Sequence, residues 1–218
     1  PQYRFAFGPF MPGFVIIPYN DPDALRKAID KNTVAFLVEP IQGEGGIHVP
    51  DRGYLRKTFN ICKEHNVLFI DDEIQTGLGR TGRLFCIDYE NTKPDIIIVG
   101  KALGGGLYPV SAIIAKDEVM NVFEPGDHGS TFGGNPLAAS IGSAALDVII
   151  EEKLADNAFR IGTYFIKQLK KIKSPKIREI RGKGLLVGIE IEKGYGRARK
   201  YCEELLKLGI LSKETHDY

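Results

Sequence analysis

The chain has 218 residues, of which 43% are hydrophobic and 26% charged, and its formal net charge is +1. This composition is that of an ordinary globular protein and excludes the disordered and fibrous classes. The low net charge, and the lack of an apolar run near the ~20 residues of a membrane span, predict neither a nucleic-acid nor a membrane partner.

Short apolar runs alternate with helical patterns along the first half of the chain. They predict strands at 14–17, 34–38, 67–70 and 95–99 and helices at 21–30 and 54–65. A helix between two such strands indicates a β-α-β unit, and the segment 110–115 is close enough to the strand before it to pair antiparallel or to cover an edge. The first half therefore predicts an α/β fold.

The pattern changes after a long helix at 135–152 that is rich in alanine and aliphatic residues. An amphipathic helix from Leu154, a strand at 185–191 and a helix at 198–208 follow. We interpret this change as the boundary between a large α/β domain, residues 1–152, and a smaller α+β domain, residues 153–218, that stops before it is complete.

An acid and a lysine follow two of the predicted strands. Asp71, Asp72 and Glu73 come directly after the strand at 67–70, and Lys101 follows the strand at 95–99. Ligands collect at the carboxyl ends of parallel strands, so Asp72 and Lys101 can face one pocket. By themselves such residues cap turns or face solvent, but the glycines at 104–106 let the backbone lie close to a flat ligand.

Two other ligand sites can be read from this stretch. Gly77–Gly82 fits G-x-G-x-x-G, which would suggest an NAD-dependent dehydrogenase, but the preceding acids would repel a diphosphate and only weak helical periodicity follows. Three consecutive acids offer oxygen donors for a metal ion. Adjacent strand residues point to opposite faces, however, so we expect no metal site.

Several long motifs occur in a fixed order. They are DDEIQTGLGRTG at 71–82, PDIIIVGKALGGGLYPVSAI at 94–113 and PGDHGSTFGGNPLAAS at 125–140. Together they resemble the signature of the class III pyridoxal-phosphate aminotransferases, and the resemblance runs from FGPFMPGFVIIPYND at 7–21 to the terminal THDY. GLYPVSA and FGPFMPGF favour the ornithine branch of this family over the acetylornithine and 4-aminobutyrate branches.

The resemblance implies a fold and a reaction. The fold is type I of the pyridoxal-phosphate-dependent transferases, with a mostly parallel central sheet and helices on both faces. The reaction is transfer of the δ-amino group of L-ornithine to 2-oxoglutarate, which gives glutamate 5-semialdehyde and glutamate, as in amino-acid metabolism and proline biosynthesis. Acetylornithine, or another ω-amino acid, remains the alternative amino donor. The resemblance also implies pyridoxal 5'-phosphate as cofactor and a homodimer.

The resemblance assigns roles at the predicted pocket. Lys101 is similar to the lysine that binds the cofactor aldehyde and moves the substrate proton. Asp72 is similar to the acid that bonds the pyridine nitrogen and keeps it protonated. Gln75 is placed to bond the phenolic oxygen and Ile74 to pack on one face of the ring. Either of the last two side chains can also follow a strand without any ligand.

Three further residues receive roles in the same way. Ser130 and Thr131 precede a helix start, whose positive end suits a phosphate, and the family implies that Thr131 acts on the partner subunit's cofactor. Glu44 resembles a gating carboxylate that pairs with an arginine and helps to choose which end of the substrate is presented. The simpler interpretations are an ordinary helix cap and a solvated loop acid.

The family pattern extends beyond both ends of the chain. A glycine-rich phosphate loop and a ring-stacking aromatic would lie before Pro1, and an arginine for the substrate carboxylate would lie after Tyr218. We therefore expect a piece of a longer enzyme that is inactive alone. Three widely separated cysteines (Cys62, Cys86 and Cys202) favour a reducing compartment, the cytoplasm or, in a eukaryote, the mitochondrial matrix.

Overall fold

A four-stranded sheet forms the centre of the computed structural model, which describes residues 5–215. Its strands are Ala35–Val38 (β1), Leu68–Asp72 (β2), Ile96–Val99 (β3) and Ala112–Ala115 (β4). They lie in the order β1-β2-β3-β4, the first three parallel and the last antiparallel to β3. The predicted α/β fold with a mostly parallel sheet is confirmed, as is the antiparallel pairing of the segment at 110–115.

Helices connect and follow these strands. They are Pro22–Ala28 (α1), Tyr54–Glu64 (α2), Asp117–Met120 (α3), Pro136–Glu151 (α4), Leu154–Leu169 (α5) and Ala198–Lys207 (α6). Short 3-10 helices occupy Cys86–Glu90, Lys101–Gly104 and Lys193–Tyr195. Because α2 joins the parallel pair β1 and β2, the predicted β-α-β unit is confirmed. Within the described part of the chain, no helix combines the length and apolarity needed to cross a bilayer.

Two apolar clusters fix the sheet relative to its helices. One packs Leu25 of α1 and Leu55 of α2 against Phe69 of β2. The other brings Ile149 of α4 together with Val99 of β3 and Leu103 of the 3-10 helix that begins at Lys101. Burial of this kind contributes about 25 cal/mol per Å² of apolar surface, so it holds the turn after β3 against α4.

The predicted strand at 14–17 is wrong. Phe14, Val15 and Ile16 are 78%, 77% and 80% exposed, and the segment takes part in neither described sheet. An apolar run forms a strand only where a partner supplies the ladder of hydrogen bonds. Strand β1 pairs with β2 alone, so no described strand offers that ladder to residues 14–17.

The residues after α4 form α5, α6 and an antiparallel hairpin of Ile177–Lys183 (β5) and Leu186–Ile191 (β6). The hairpin turn packs closely on the first part of the chain. A Cβ on Gly184 would lie 2.4 Å from the Thr81 carbonyl carbon, and the Leu185 N–H donates to the Arg80 carbonyl at 2.9 Å. The division at residues 152 and 153 stays a prediction, since these close contacts cross it.

Candidate active site

The structure places Asp72 and Lys101 at the same edge of the sheet. Asp72 is the last residue of β2 and lies opposite Ile98 of the parallel strand β3. Lys101 starts the 3-10 helix that follows β3. Between them, Gly100 packs beside Ile74, since a Cβ on Gly100 would lie in ordinary van der Waals contact, 3.6 Å from the Ile74 side chain. A carboxyl group and an amine, at the carboxyl ends of two neighbouring parallel strands, therefore border one site.

Asp72 uses one of its two carboxylate oxygens in a hydrogen bond within the described chain. Its Oδ1 accepts a hydrogen bond from the Ile74 N–H at 3.0 Å. Its Oδ2 accepts none from residues 5–215. The side chain is half-buried, and a carboxylate there bonds strongly to a cationic N–H donor. This oxygen fits the protonated ring nitrogen of a pyridine cofactor.

Lys101 has an unusual backbone conformation. Its φ is +43°, in the left-handed region that residues with a Cβ avoid. The turn persists because the Leu103 N–H donates to the Gly100 carbonyl at 3.0 Å and Leu103 packs near Gly142 of α4. Strain of this kind is concentrated at functional sites. The exposed amine makes no ion pair with residues 5–215, so it fits a covalent bond to a cofactor aldehyde.

Glu39 is a third acid at this edge, and the family motifs in the sequence do not include it. Burial raises its pKa, and the negative charge of Asp72 adds to that rise, whereas the Gly43 N–H and the charge of Lys101 lower it. Glu39 is thus within electrostatic reach of both site residues. A signal was available in the sequence, because Glu39 follows β1 as Asp72 ends β2.

Glu44 and Gln75 meet at the rim of the site. The Gln75 amide Nε2 donates to Glu44 Oε1 at 3.4 Å, and Lys213 forms an ion pair with Glu44 Oε2 at 2.7 Å. The pKa of Glu44 is lowered, mainly by Lys213 and further by Gln75 and Lys101. Gly43 permits this arrangement, since any Cβ there would lie 2.5 Å from Gln75 Oε1. Glu44 is therefore an anion at working pH.

Ser130 and Thr131 belong to the loop that precedes α4. Both are exposed on the loop before α4, where Ser130 Oγ accepts from the Gly133 N–H at 2.9 Å. Asn135 caps α4 by accepting from the Ala138 N–H at 2.9 Å. Among residues 5–215, no hydrogen bond links the two hydroxyl groups to Asp72 or Lys101. Their phosphate-binding role stays a prediction that needs a second subunit.

A buried pair of acids lies behind Asp72. Asp71 and Glu73 are 0% and 1% exposed, and their side chains face each other. Glu73 accepts from the Ile87 N–H at 2.8 Å and from the Thr76 hydroxyl, whereas neither Asp71 oxygen accepts from a donor in residues 5–215. Burial, and then the charge of Glu73, raise the pKa of Asp71. The protonated, neutral form of Asp71 is thus favoured over its carboxylate.

Replacing Asp71 by asparagine should make stability less sensitive to pH. Because the pKa of Asp71 is raised on folding, its unfolded form loses a proton above about pH 4 while its folded form keeps one. Stability therefore falls by up to ~1.4 kcal/mol for each pH unit, and Asp71→Asn removes that slope. Thermal midpoints measured at pH 6 and pH 8 should move closer together in this variant than in the unaltered protein.

Glu118→Gln is the matched control for the pH measurement, since it removes a carboxylate whose side chain is 77% exposed. It should leave the difference between the two midpoints unchanged. An equal pH dependence in Asp71→Asn and the unaltered protein would show that Asp71 is ionised in the folded state.

The glycines of the literal G-x-G-x-x-G pattern serve packing. A Cβ on Gly77 would lie 2.8 Å from the Glu73 carbonyl oxygen, and one on Gly82 would lie 2.9 Å from the Phe159 Cβ of α5. The pattern opens no long helix, only the 3-10 helix Cys86–Glu90. The dinucleotide interpretation therefore has no support here. No group of three or more metal-ligating side chains occurs among residues 5–215.

Comparison with known proteins places this site in a family. The family model described as aminotransferase class III matches residues 1–218. The ornithine aminotransferase of Geobacillus sp. (strain WCH70) is 55% identical over 216 residues, which are 99% of this chain and 54% of the relative. That of Brevibacillus brevis is 54% identical over 99% of this chain and 53% of its own length.

Solved structures agree with the sequence match. The ornithine aminotransferase of Toxoplasma gondii, with pyridoxal phosphate at partial occupancy in its active site, superposes with a TM-score of 0.96 at 49% identity, over 98% of this chain and 51% of that one. The acetylornithine aminotransferase of Elizabethkingia anophelis gives 0.91 at 48% identity, over 98% and 56%. The chain spans about half the length of the curated relatives it matches. The match along the whole sequence shows that the chain belongs to the class III aminotransferases.

Proposed function

We propose that this chain carries the cofactor-binding part of an enzyme that transfers the δ-amino group of L-ornithine to 2-oxoglutarate. The observation that carries the proposal is that Asp72, with one carboxylate oxygen that accepts no hydrogen bond from residues 5–215, and the strained Lys101 follow the neighbouring parallel strands β2 and β3 at one edge of the sheet. Relatives at 53–55% identity that are ornithine aminotransferases support the choice of substrate.

Pyridoxal 5'-phosphate, when bound, supplies an aldehyde and an electron-withdrawing pyridine ring. Lys101 would hold the aldehyde carbon and then, as a free amine, move a proton from and to the reacting substrate carbon. Asp72 would accept a hydrogen bond from the ring N–H and hold the proton on that nitrogen. Ile74 would exclude water from one ring face, and Gln75 would donate its amide N–H to the phenolic oxygen.

Glu44 would act on the substrate rather than the cofactor. Its carboxylate is ionised at the rim of the site, so it attracts the ammonium groups of a diamino acid and repels the carboxylates of an oxo acid. Ser130 and Thr131 would complete a phosphate site only as residues of a partner subunit, which makes the working form a homodimer. The three free cysteines support a reducing compartment such as the cytoplasm.

N-Acetylornithine is the second candidate donor, because the Elizabethkingia anophelis acetylornithine aminotransferase is 48% identical to this chain. The test compares kcat/KM for L-ornithine and for N-acetyl-L-ornithine with 2-oxoglutarate, in the full-length purified protein. We expect ornithine to be preferred by at least about tenfold, a difference of about 1.4 kcal/mol in transition-state binding. A preference for the acetylated donor would reverse the assignment, and no transfer from either donor would overturn it.

A further inference from the structure

The Glu44 loop, residues 42–48, rests on the β5–β6 hairpin. Its ends are joined by the antiparallel bridge between Gln42 and His48. From β5, the Arg181 guanidinium reaches across to it. The Nε atom donates to the Ile47 carbonyl at 3.0 Å, and Nη2 donates to the Gly46 carbonyl at 2.7 Å. One side chain thus satisfies two adjacent carbonyl groups of the loop.

Arg181 is itself held in place by acids of the hairpin. Its Nη1 atom pairs with Glu179 at 2.8 Å and with Glu190 of β6. The Arg181 side chain is only 14% exposed, so these contacts are protected from solvent. A planar guanidinium with five N–H groups can serve two carboxylates and two carbonyls at once, which an ammonium cannot do with the same geometry.

The loop needs such an anchor because it is strained at Ile47. The φ of Ile47 is +56°, and a β-branched residue in the left-handed region is a genuine outlier. Its side chain packs on Gly188 of β6, where a Cβ would lie 3.2 Å from that of Ile47. A strained residue keeps this conformation only where its surroundings determine it. The Arg181 hydrogen bond to the Ile47 carbonyl is one of those determinants.

We propose that Arg181 is a positioning residue that fixes the Glu44 loop and thereby sets the preference of the site for its two substrates. Glu44 lies three residues before Ile47 and bonds to Gln75 at the cofactor edge. Release of the loop moves this anion away from the substrate. This inference rests on the proposed function, because it requires a donor with two ammonium groups and an acceptor with two carboxylates that use the same site in turn.

The two substrates carry opposite charges, so displacement of Glu44 should affect them in opposite directions. A diamino acid loses an attraction, and its KM should rise about tenfold. A dicarboxylic oxo acid loses a repulsion, and its KM should fall or stay constant. A purely structural role of Arg181 would instead lower kcat/KM for both substrates together. The KM values for the two substrates therefore distinguish a positioning role of Arg181 from a purely structural one.

The experiment compares Arg181→Gln and Arg178→Gln in the full-length holoenzyme. Arg178 is the matched control because it pairs with the same Glu190 at 2.7 Å but donates no hydrogen bond to residues 42–48. Hydrogen exchange, followed by mass spectrometry, reports on the loop directly, since the Gly46 and Ile47 N–H groups both donate to the Gly43 carbonyl at 3.1 Å. Arg181→Gln should speed exchange in peptides covering 42–48 by about tenfold, and Arg178→Gln should not.

Arg181→Lys keeps the positive charge but lacks the planar guanidinium group. Its hydrogen exchange at residues 42–48 should therefore lie between that of Arg181→Gln and that of the unaltered enzyme. Unchanged exchange in Arg181→Gln overturns the proposal, whatever the enzyme does with ornithine. Faster exchange with an equal loss for both substrates overturns the role in substrate preference. Failure of the proposed function would look different, because the unaltered enzyme would then transfer no amino group at all.

Discussion

Lys101→Ala should abolish amino transfer, with kcat lowered by about 10³-fold or more in the full-length enzyme. General acid-base catalysis alone contributes 10² to 10⁴, and the same amine would also hold the cofactor covalently. The measurement is single-turnover formation of the product aldehyde from ornithine. The visible absorbance of the bound cofactor should shift as well, because alanine offers no nitrogen for a bond to the aldehyde.

Lys93→Ala is the matched control, since Lys93 is an exposed lysine on the loop that leads into β3. It should leave kcat and absorbance unchanged. Thermal midpoints separate chemistry from folding: alanine meets the same left-handed strain at φ +43°, so the Lys101→Ala fold should survive. A small primary amine added to this variant should restore part of the rate. Normal turnover by Lys101→Ala would remove the lysine from its assigned role.

The strands that carry the site could be predicted from the sequence because two signals coincide there. The runs before Asp71 and before Lys101 are apolar and β-branched, as buried parallel strands require, and polar residues follow at once. The segment 14–17 shows the first signal alone. Whether a strand partner is available depends on tertiary structure, which hydrophobicity does not encode, and Phe14, Val15 and Ile16 are exposed.

Side-chain partners at the site were harder to predict than its position. Alternation along β2 puts Asp71 and Glu73 on the face opposite Asp72, but it does not reveal that the pair is buried against the Ile87 N–H. Nor does spacing distinguish a glycine that approaches a phosphate from one that approaches Phe159, as Gly82 does. Both outcomes depend on contacts between segments that lie far apart in the sequence.

Arg181 is the clearest example of such long-range dependence. It is separated by 135 residues from Gly46, whose carbonyl it binds. Arg181 belongs to the basic stretch 167–183, and such a run of charges by itself favours a solvated surface. Its side chain is nevertheless only 14% exposed. Charge patterns predict partners only within a helix turn or along paired strands. The contact between the hairpin and the Glu44 loop therefore became visible only with the fold.

Asp72→Asn should weaken cofactor binding and slow transfer together. An asparagine cannot balance a cationic ring nitrogen, so the hydrogen bond loses its charge assistance, worth about 1.5–3 kcal/mol or roughly 10- to 100-fold in affinity. The unprotonated ring also withdraws electrons less well, so kcat should fall by about 10² or more. Equilibrium dialysis of pyridoxal 5'-phosphate and single-turnover rates measure the two effects separately.

Asp71→Asn is the matched control for Asp72→Asn, because it makes the same chemical change at the adjacent residue, whose side chain is buried on the opposite face of β2. Since Asp71 already carries a proton, its amide replacement should preserve both the affinity for cofactor and the rate. Asp72→Glu keeps the charge on a longer side chain and should recover part of the affinity. If Asp72→Asn bound the cofactor as tightly as the unaltered enzyme does, the carboxylate of Asp72 would not face the ring nitrogen. The orientation of the cofactor ring in the site would then have to be reassigned.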